Sequence, residues 1–275
     1  MCRLMAFSEQ DIEARLTLIR SLSRAAREIT LPLFARDMDV TNKADSGYDP
    51  VTQADIDAER ALRNLITETF PDDGIEGEEL PDIKGRNDWL WTLDPIDGTR
   101  GFVAGVPVWS TLIAVSYQGA PILGLIDVAA QDKCFWGRID SDETSRAWLE
   151  EGGKATDLTT RNCLNISGAI MGCTEPLAML KENELAAYNN IRRTARFSRL
   201  GLDAFGYGLV AQGRMDIIIE ALLKPCDVRA LMPVIEGAGG KVTNWKGGSP
   251  VNGGRVVAVG DAGLLAEIYE HLSEV

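Results

Sequence analysis

One histidine in 275 residues leaves this chain little imidazole chemistry. His271 falls near the C-terminus, in a stretch patterned as an amphipathic helix, where a surface role suffices for it. A histidine triad and a histidine-rich zinc site are therefore disfavoured. Cysteine is scarce as well. Cys2, Cys134, Cys163, Cys173 and Cys226 are widely spaced and contain no CxxC pair, so zinc ribbons and thioredoxin-like motifs lack support. Five scattered thiols fit a reduced, cytoplasmic protein. No run approaches the ~18 uninterrupted apolar residues that suggest a membrane span. The start MCRLMAFSEQ has no long apolar core of a secretory signal, and Glu9, Asp11 and Glu13 argue against an organellar address. Basic residues are outnumbered, 28 against 41 acidic, for a net charge of −13. That balance disfavours nucleic acid or an anionic membrane as partner.

What is present describes an ordinary soluble globular protein, with 45% hydrophobic and 25% charged residues. The length suits one large domain or two closely packed halves, here divided as 1–150 and 151–275. Most of the acidic surplus serves as solvated surface. Part of it suits a metal site, because hard cations take oxygen ligands.

Periodicity predicts helices over 9–35, with Ile12, Leu16, Ile19, Leu22 and Ala26 in register and Ser8 as N-cap, and over 52–69. Residues 37–50 read as a loop or short hairpin, and Pro71 with Gly74 as a bend. Strands are expected at 89–94, 111–117, 121–127 and 133–137, leaning towards an antiparallel sheet. The charged, Gly-containing stretch 140–160 reads as a surface hairpin and connector. Beyond it, strands are expected at 163–172, 215–220, 241–245 and 255–260. Helices are expected at 177–192, 203–213, 227–239 and 262–273.

The segment WTLDPIDGTRGF (91–102) carries the most chemistry. An apolar strand ends on two acids three residues apart, with Pro95 stiffening the connection. Such a turn can aim Asp94 and Asp97 into one pocket. Gly98 permits backbone conformations closed to other residues, and if a helix begins there the Gly98 and Thr99 amides form an anion site. A simple Asp-Gly turn with an Asp N-cap accounts equally well for these residue types. Two further segments tip the balance: Glu78-Glu79, and Asp227 in KPCDVRALMPVIEGAGG, where a helix cap is the plain alternative.

Four pieces, DPVTQAD (49–55), GEE (77–79), DPIDGT (94–99) and CDVRALMPVIEGAGG (226–240), resemble the inositol monophosphatase superfamily of Mg²⁺-dependent, lithium-sensitive phosphatases, and in the same order. The resemblance implies an alternating α-β-α-β-α sandwich and hydrolysis of a small phosphate monoester by two or three Mg²⁺ ions. It assigns Glu78, Asp94, Asp97, Asp227 and the Ile96 carbonyl as metal ligands. It pairs Thr99 with Asp55 by a hydrogen bond near the attacking water, which Thr99 and Glu78 orient or activate. It gives phosphate binding to the Gly98 and Thr99 amides, places Lys43 in a mobile loop near the metals, and suggests a homodimer. No soft ligand set is apparent in the sequence, which agrees with Mg²⁺. Neither Ser110 nor Cys134 has a histidine base, so a covalent Ser/His or Cys/His route is disfavoured.

The leaving group is a separate matter. Residues 198–248, above all EALLKPCDVRALMPVIEGAGG, are similar to the histidinol-phosphatase branch. Typical inositol monophosphatases tend to carry Trp before the Asp. Histidinol phosphate bears a cationic amine and an imidazole, which an acidic pocket suits. Glu220 and Asp203 are the candidates, with a helix cap the equal alternative for Asp203. Arg100, Trp109 and Asn252 are further candidates to line the site. Two other readings remain: a phosphatase for inositol phosphate or 3′-phosphoadenosine 5′-phosphate, and a metal-dependent binding protein without turnover.

Overall fold

The structure, a computed structural model, describes residues 7–34, 36, 40–42, 50–140 and 145–272. Helix α1 (Glu9–Thr30) starts from a capping box between Ser8 and Asp11. A short antiparallel pair, β1 (Val40–Asn42) and β2 (Pro50–Thr52), leads into α2 (Gln53–Thr69). The first large sheet follows in chain order: β3 (Gly74–Gly77), β4 (Trp89–Asp97), β5 (Ser110–Tyr117), β6 (Ala120–Val128), β7 (Lys133–Ile139), β8 (Ser145–Glu151) and β9 (Lys154–Asp157). Only β3 against β4 is parallel; the remaining pairings are antiparallel, as short connections allow. The short helix α3 (Thr99–Ala104) interrupts the path from β4 to β5.

The second sheet has the order β11-β10-β12-β14-β13, from β10 (Ile170–Cys173), β11 (Phe197–Leu200), β12 (Ile217–Leu223), β13 (Lys241–Thr243) and β14 (Gly254–Val259). Between these strands run α4 (Pro176–Met179), α5 (Glu182–Thr194), α6 (Asp203–Ala211), α7 (Pro225–Arg229) and α8 (Leu231–Gly237), and α9 (Leu264–Leu272) closes the fold.

Strand alternation builds the layers. On β5, Ile113 and Val115 face α1 and α2, joining Ile19, Leu22, Leu62, Ile66 and Trp91. Their neighbours Leu112 and Ala114 face the other way, into a core with Tyr207, Val210, Leu231, Val234 and Ile235. The same division splits β12. Ile218 joins that middle core, while Ile217 and Ile219 pack with Tyr188, Ile191, Leu264 and Ile268 of the outer helices. The result is the expected α-β-α-β-α sandwich. The middle layer sits close on the first sheet: a β-carbon at Gly137 would overlap the Pro233 backbone of α8.

Several local expectations change. Residues 74–77, read as a bend, form β3, whose four residues are too few to show a period. The edge strand β11 was not expected, and its residues are mostly exposed. Within 163–172 only Ile170 onwards is strand; a 3-10 turn at Ile166–Gly168, capped by Asn165, precedes it. The helix expected at 177–192 is two, because Glu184 caps a new start at Lys181. The 140–160 stretch holds the hairpin β8–β9, turned by Gly152 and Gly153 at positive φ.

Candidate active site

In a regular strand, residues three apart point to opposite faces. Asp94 and Asp97 escape this because the β4–β5 register shifts between them. Pro95 and Ile96 form the bulge, held by Thr111 Oγ1 donating to the Pro95 carbonyl at 2.8 Å. Both carboxylates thereby line one cavity of about 400 Å³. The strand runs through Asp97, rather than ending at Asp94 as the sequence suggests. Asp97 Oδ2 accepts the Ala204 N–H at 2.8 Å, which ties β4 to the start of α6.

Asp227 reaches the same cavity from α7. Pro225 occupies the first turn, where its missing N–H costs nothing. Asp227 is the third residue of the helix, not its N-cap. Its Oδ2 accepts the Lys224 N–H at 2.6 Å, leaving Oδ1 towards the Cys226 thiol. Glu78 arrives on the loop after β3. Fully buried Glu59 of α2 shapes that loop by accepting the Glu79 and Leu80 N–H groups, while Arg63 donates to the Leu80 and Pro81 carbonyls.

Oxygens of Asp94, Asp97 and Asp227 lie within 4.8 Å of one another, and Glu78 lies equally close to Asp94. Burial and mutual repulsion push the Asp94 and Asp97 carboxyls well above the usual range, and Asp227 up to about 6. Asp94 is 2% exposed, yet its Oδ2 takes no hydrogen bond from a described residue. Converging carboxylates, Asp94 buried and the others half-buried, are the donor set a hard divalent cation requires, so the residues fit Mg²⁺. The Ile96 carbonyl, also in the cavity lining, keeps a lone pair beyond the one used by Thr99.

Not every expectation holds. The Thr99 hydroxyl donates to the Ile96 carbonyl at 3.1 Å, and the expected bond to Asp55 is not made. Asp55 is instead the third residue of α2, and its Oδ2 closes a capping box with the Thr52 N–H and hydroxyl. The T-x-x-D spacing of residues 52–55 carried that signal. Burial raises the Asp55 carboxyl, against those hydrogen bonds and with nearby Glu78 adding to the rise. Cys226 also amends the expected oxygen-only set. Its sulfur lies within 4.8 Å of Glu78 and Asp94. Lys43 lies outside the described residues.

Beyond the carboxylates, Gly98 caps α3 at φ +79°, a conformation suited to glycine. A β-carbon there would lie 2.9 Å from the Asp203 carboxylate, so Asp203 packs directly on this turn. Asp203 is not an N-cap: Leu202 holds that position, and Asp203 begins α6 at φ +47°. Burial beside Glu220 pushes Asp203 up to about 6, and Arg100 counteracts this. Glu220 is buried and accepts the Thr174 N–H at 2.6 Å and the Tyr207 hydroxyl at 2.7 Å. Arg100, Asp203 and Glu220 all line the cavity. Trp109 does not; it packs fully buried against Phe34 and Phe102. Asn252 is an exposed turn residue outside the lining. Tyr207, Lys224 and Leu222 are among the lining residues that were not foreseen. Tyr207 follows Asp203 by one helical turn, a spacing the sequence did offer. Lys224 donates to Glu78 Oε1 at 2.9 Å. Leu222 stands at φ +63° where the β12–β14 register shifts.

Comparison with known proteins agrees with this geometry. The model described as "Inositol monophosphatase family" matches residues 11–275. The chain is 35% identical to the bifunctional phosphatase IMPL2, chloroplastic, of Arabidopsis thaliana, over 96% of this chain and 77% of that protein. It is 32% identical to a histidinol-phosphatase of Chlorobaculum parvum, over 84% and 86%. Among solved structures, an inositol monophosphatase from Zymomonas mobilis superimposes with a TM-score of 0.81 at 33% identity, over 97% of this chain and 100% of that one. The match over residues 11–275, together with a bulged strand carrying buried Asp94 and half-buried Asp97, an acid from a helix start and a glutamate from a braced loop, leads to one conclusion: the chain belongs to the inositol monophosphatase family, and it is a phosphatase.

Proposed function

We propose that this phosphatase hydrolyses histidinol phosphate to histidinol and phosphate with Mg²⁺, as a step of histidine biosynthesis. Asp94, Asp97, Asp227, Glu78 and the Ile96 carbonyl would hold the ions, two or three per site. When bound, Mg²⁺ polarises the phosphoryl group, makes the attacking water a better nucleophile and offsets charge on the departing oxygen. Glu78 directs that water and accepts its proton. The Thr99 hydroxyl, anchored on the Ile96 carbonyl, orients it. The Gly98 and Thr99 amides hold phosphate oxygens, which keeps the ester in line for attack. Asp55 acts indirectly, by fixing the start of α2.

The observation that carries the substrate reading is the acidic wall beside the Gly98 turn. Asp203 presses on Gly98 with Glu220 behind it, inside the same cavity. A leaving group bearing an amine and an imidazole relieves the repulsion between these two carboxylates. An uncharged polyol relieves none of it. Arg100 counters Asp203 and sets how much negative charge the substrate meets. The 32% identity to a histidinol-phosphatase supports the same reading. A homodimer belongs to this reading, and sedimentation at working concentration tests it.

The test is phosphate release from a panel of histidinol phosphate, inositol 1-phosphate and 3′-phosphoadenosine 5′-phosphate. Histidinol phosphate is expected to exceed the others in kcat/KM by more than about tenfold. A smaller margin removes this substrate in favour of another ester. No release from any of them removes all three esters as substrates.

A further inference from the structure

We propose that Leu222, with Ala178 and Met179 of α4, forms an apolar lip of the active-site cavity that holds a flat apolar ring of the leaving group. The inference deepens the reading above. It rests on this cavity receiving the organic part of a phosphate ester, and it names the side chain that selects for a ring.

Strand β12 runs buried from Ile217 to Ala221 and then changes character. Leu222 takes φ +63°, a region where the β-carbon of any residue but glycine is crowded. Its side chain is 67% exposed. Exposed leucines are common on protein surfaces. This one is also strained, and it lines the cavity. Between Glu220 and Leu223, β12 advances three residues while its partner β14 advances two, from Val256 to Gly254. The extra residue is a bulge, and glycine or asparagine would hold the same backbone with less strain. Leu222 belongs to none of the buried clusters, so core packing does not account for a leucine here.

The rest of the lip comes from α4. The Thr174 N–H donates to Glu220 Oε1 at 2.6 Å, which ties the approach to α4 onto β12 two residues before Leu222. Pro176 opens α4, and Met179 packs against the outer core. Ala178 and Met179 thereby line the same cavity as Leu222. The three side chains offer no donor, and no acceptor beyond the weak thioether of Met179. A polyol seated on them loses water from its hydroxyls and gains no partner. A ring buries apolar surface there instead, and the flexible thioether adapts to its edge. A leaving group with an imidazole beside an amine uses both features, its ring on the lip and its positive charge on Asp203 and Glu220.

Full-length protein with Mg²⁺ is titrated by calorimetry with benzylphosphonate and with 2-hydroxyethylphosphonate. Neither has an ester bond to hydrolyse, and neither carries charge on its organic group, so the acidic wall does not decide between them. Wild type is expected to bind benzylphosphonate at least about tenfold more tightly. Leu222→Asn suits the positive φ and replaces the apolar side chain with a polar one. It should cut that ratio about fivefold and raise KM for histidinol phosphate by a similar factor, with kcat changing less. Leu222→Gly, which frees the backbone altogether, should lower the ratio as far. Tm in chelator should match or exceed wild type in both variants, because strain is relieved. A wild type that does not bind benzylphosphonate, a wild-type ratio near one, or a ratio unchanged in the folded variants overturns the proposal. Turnover of inositol 1-phosphate equal to that of histidinol phosphate, with benzylphosphonate still preferred through Leu222, would instead overturn the substrate reading and leave the lip standing.

Discussion

Glu59 reaches across from α2 and accepts the Glu79 backbone N–H at 2.8 Å, so a buried side chain 20 residues upstream positions the loop that presents Glu78. The same carboxylate accepts Leu80 N–H and pairs with Arg63 at 2.7 Å, and neither partner is exposed. Glu59 lines no part of the cavity, yet the placement of Glu78, a ligand in the proposed metal centre, depends on it.

Glu59→Ala is therefore expected to lower kcat more than it raises KM. It leaves the Arg63 charge buried without its acid, a change that typically costs about 3–5 kcal/mol. Thermal unfolding together with Mg²⁺-dependent kinetics checks this. Unchanged kcat in a folded variant would show that the loop holds Glu78 without Glu59.

Asp94→Asn should separate stability from activity. It removes one negative charge from a group of buried acids, so Tm in chelator should stay the same or rise. Activity should fall by roughly 100-fold or more, the scale of losing a principal electrostatic group. Loss of the fold would mean that Asp94 is structural.

Gly98→Ala strains a φ of +79° and drives a β-carbon to 2.9 Å from Asp203. A cost of about 1–2 kcal/mol is expected from the backbone alone, with a clear loss of activity. Adding Asp203→Ala should recover part of the stability and none of the preference for a cationic substrate. A double-mutant cycle measures the coupling.

At the far side of the fold, Glu184 gives a pH dependence. Burial works against its charge, but the Lys181 N–H and Arg255 outweigh that and hold its carboxyl below the ordinary value. Its stabilisation is therefore present above the unfolded-chain value, near 4.3, and is lost as pH falls through the lower folded value. Glu184→Gln should lower Tm at neutral pH by about 2–4 °C. Tm scans at stepped pH should show the gap closing towards acid. A gap that widens instead would contradict the assignment.

The layers and the acid set were legible because strong patterns carry them. Ile12 to Ala26 repeats at helical spacing, and the runs 111–117 and 121–127 became β5 and β6. Asp94, Asp97, Glu78 and Asp227 converge as the motifs implied. What stayed hidden depends on local geometry that residue types leave open. No spacing rule announces that Pro95 and Ile96 bulge out of a continuing strand, or that Asp203 adopts a positive φ. The bond expected between Asp55 and Thr99 gives way to a capping box, because Thr52 lies nearer to Asp55 in sequence than Thr99 does. Cys226 was passed over because its partners are more than 130 residues away in sequence. The short strands β3 and β11 owe their form to pairing with neighbours, not to their own composition.

The most direct measurement follows phosphate release from histidinol phosphate as Mg²⁺ is added to chelator-treated protein. Release should start from nothing, saturate with the ion, and stay absent in Asp94→Asn across the titration. Equal turnover in chelator, or an Asp94→Asn curve matching wild type, would contradict the assignment of these carboxylates to a metal-dependent phosphatase.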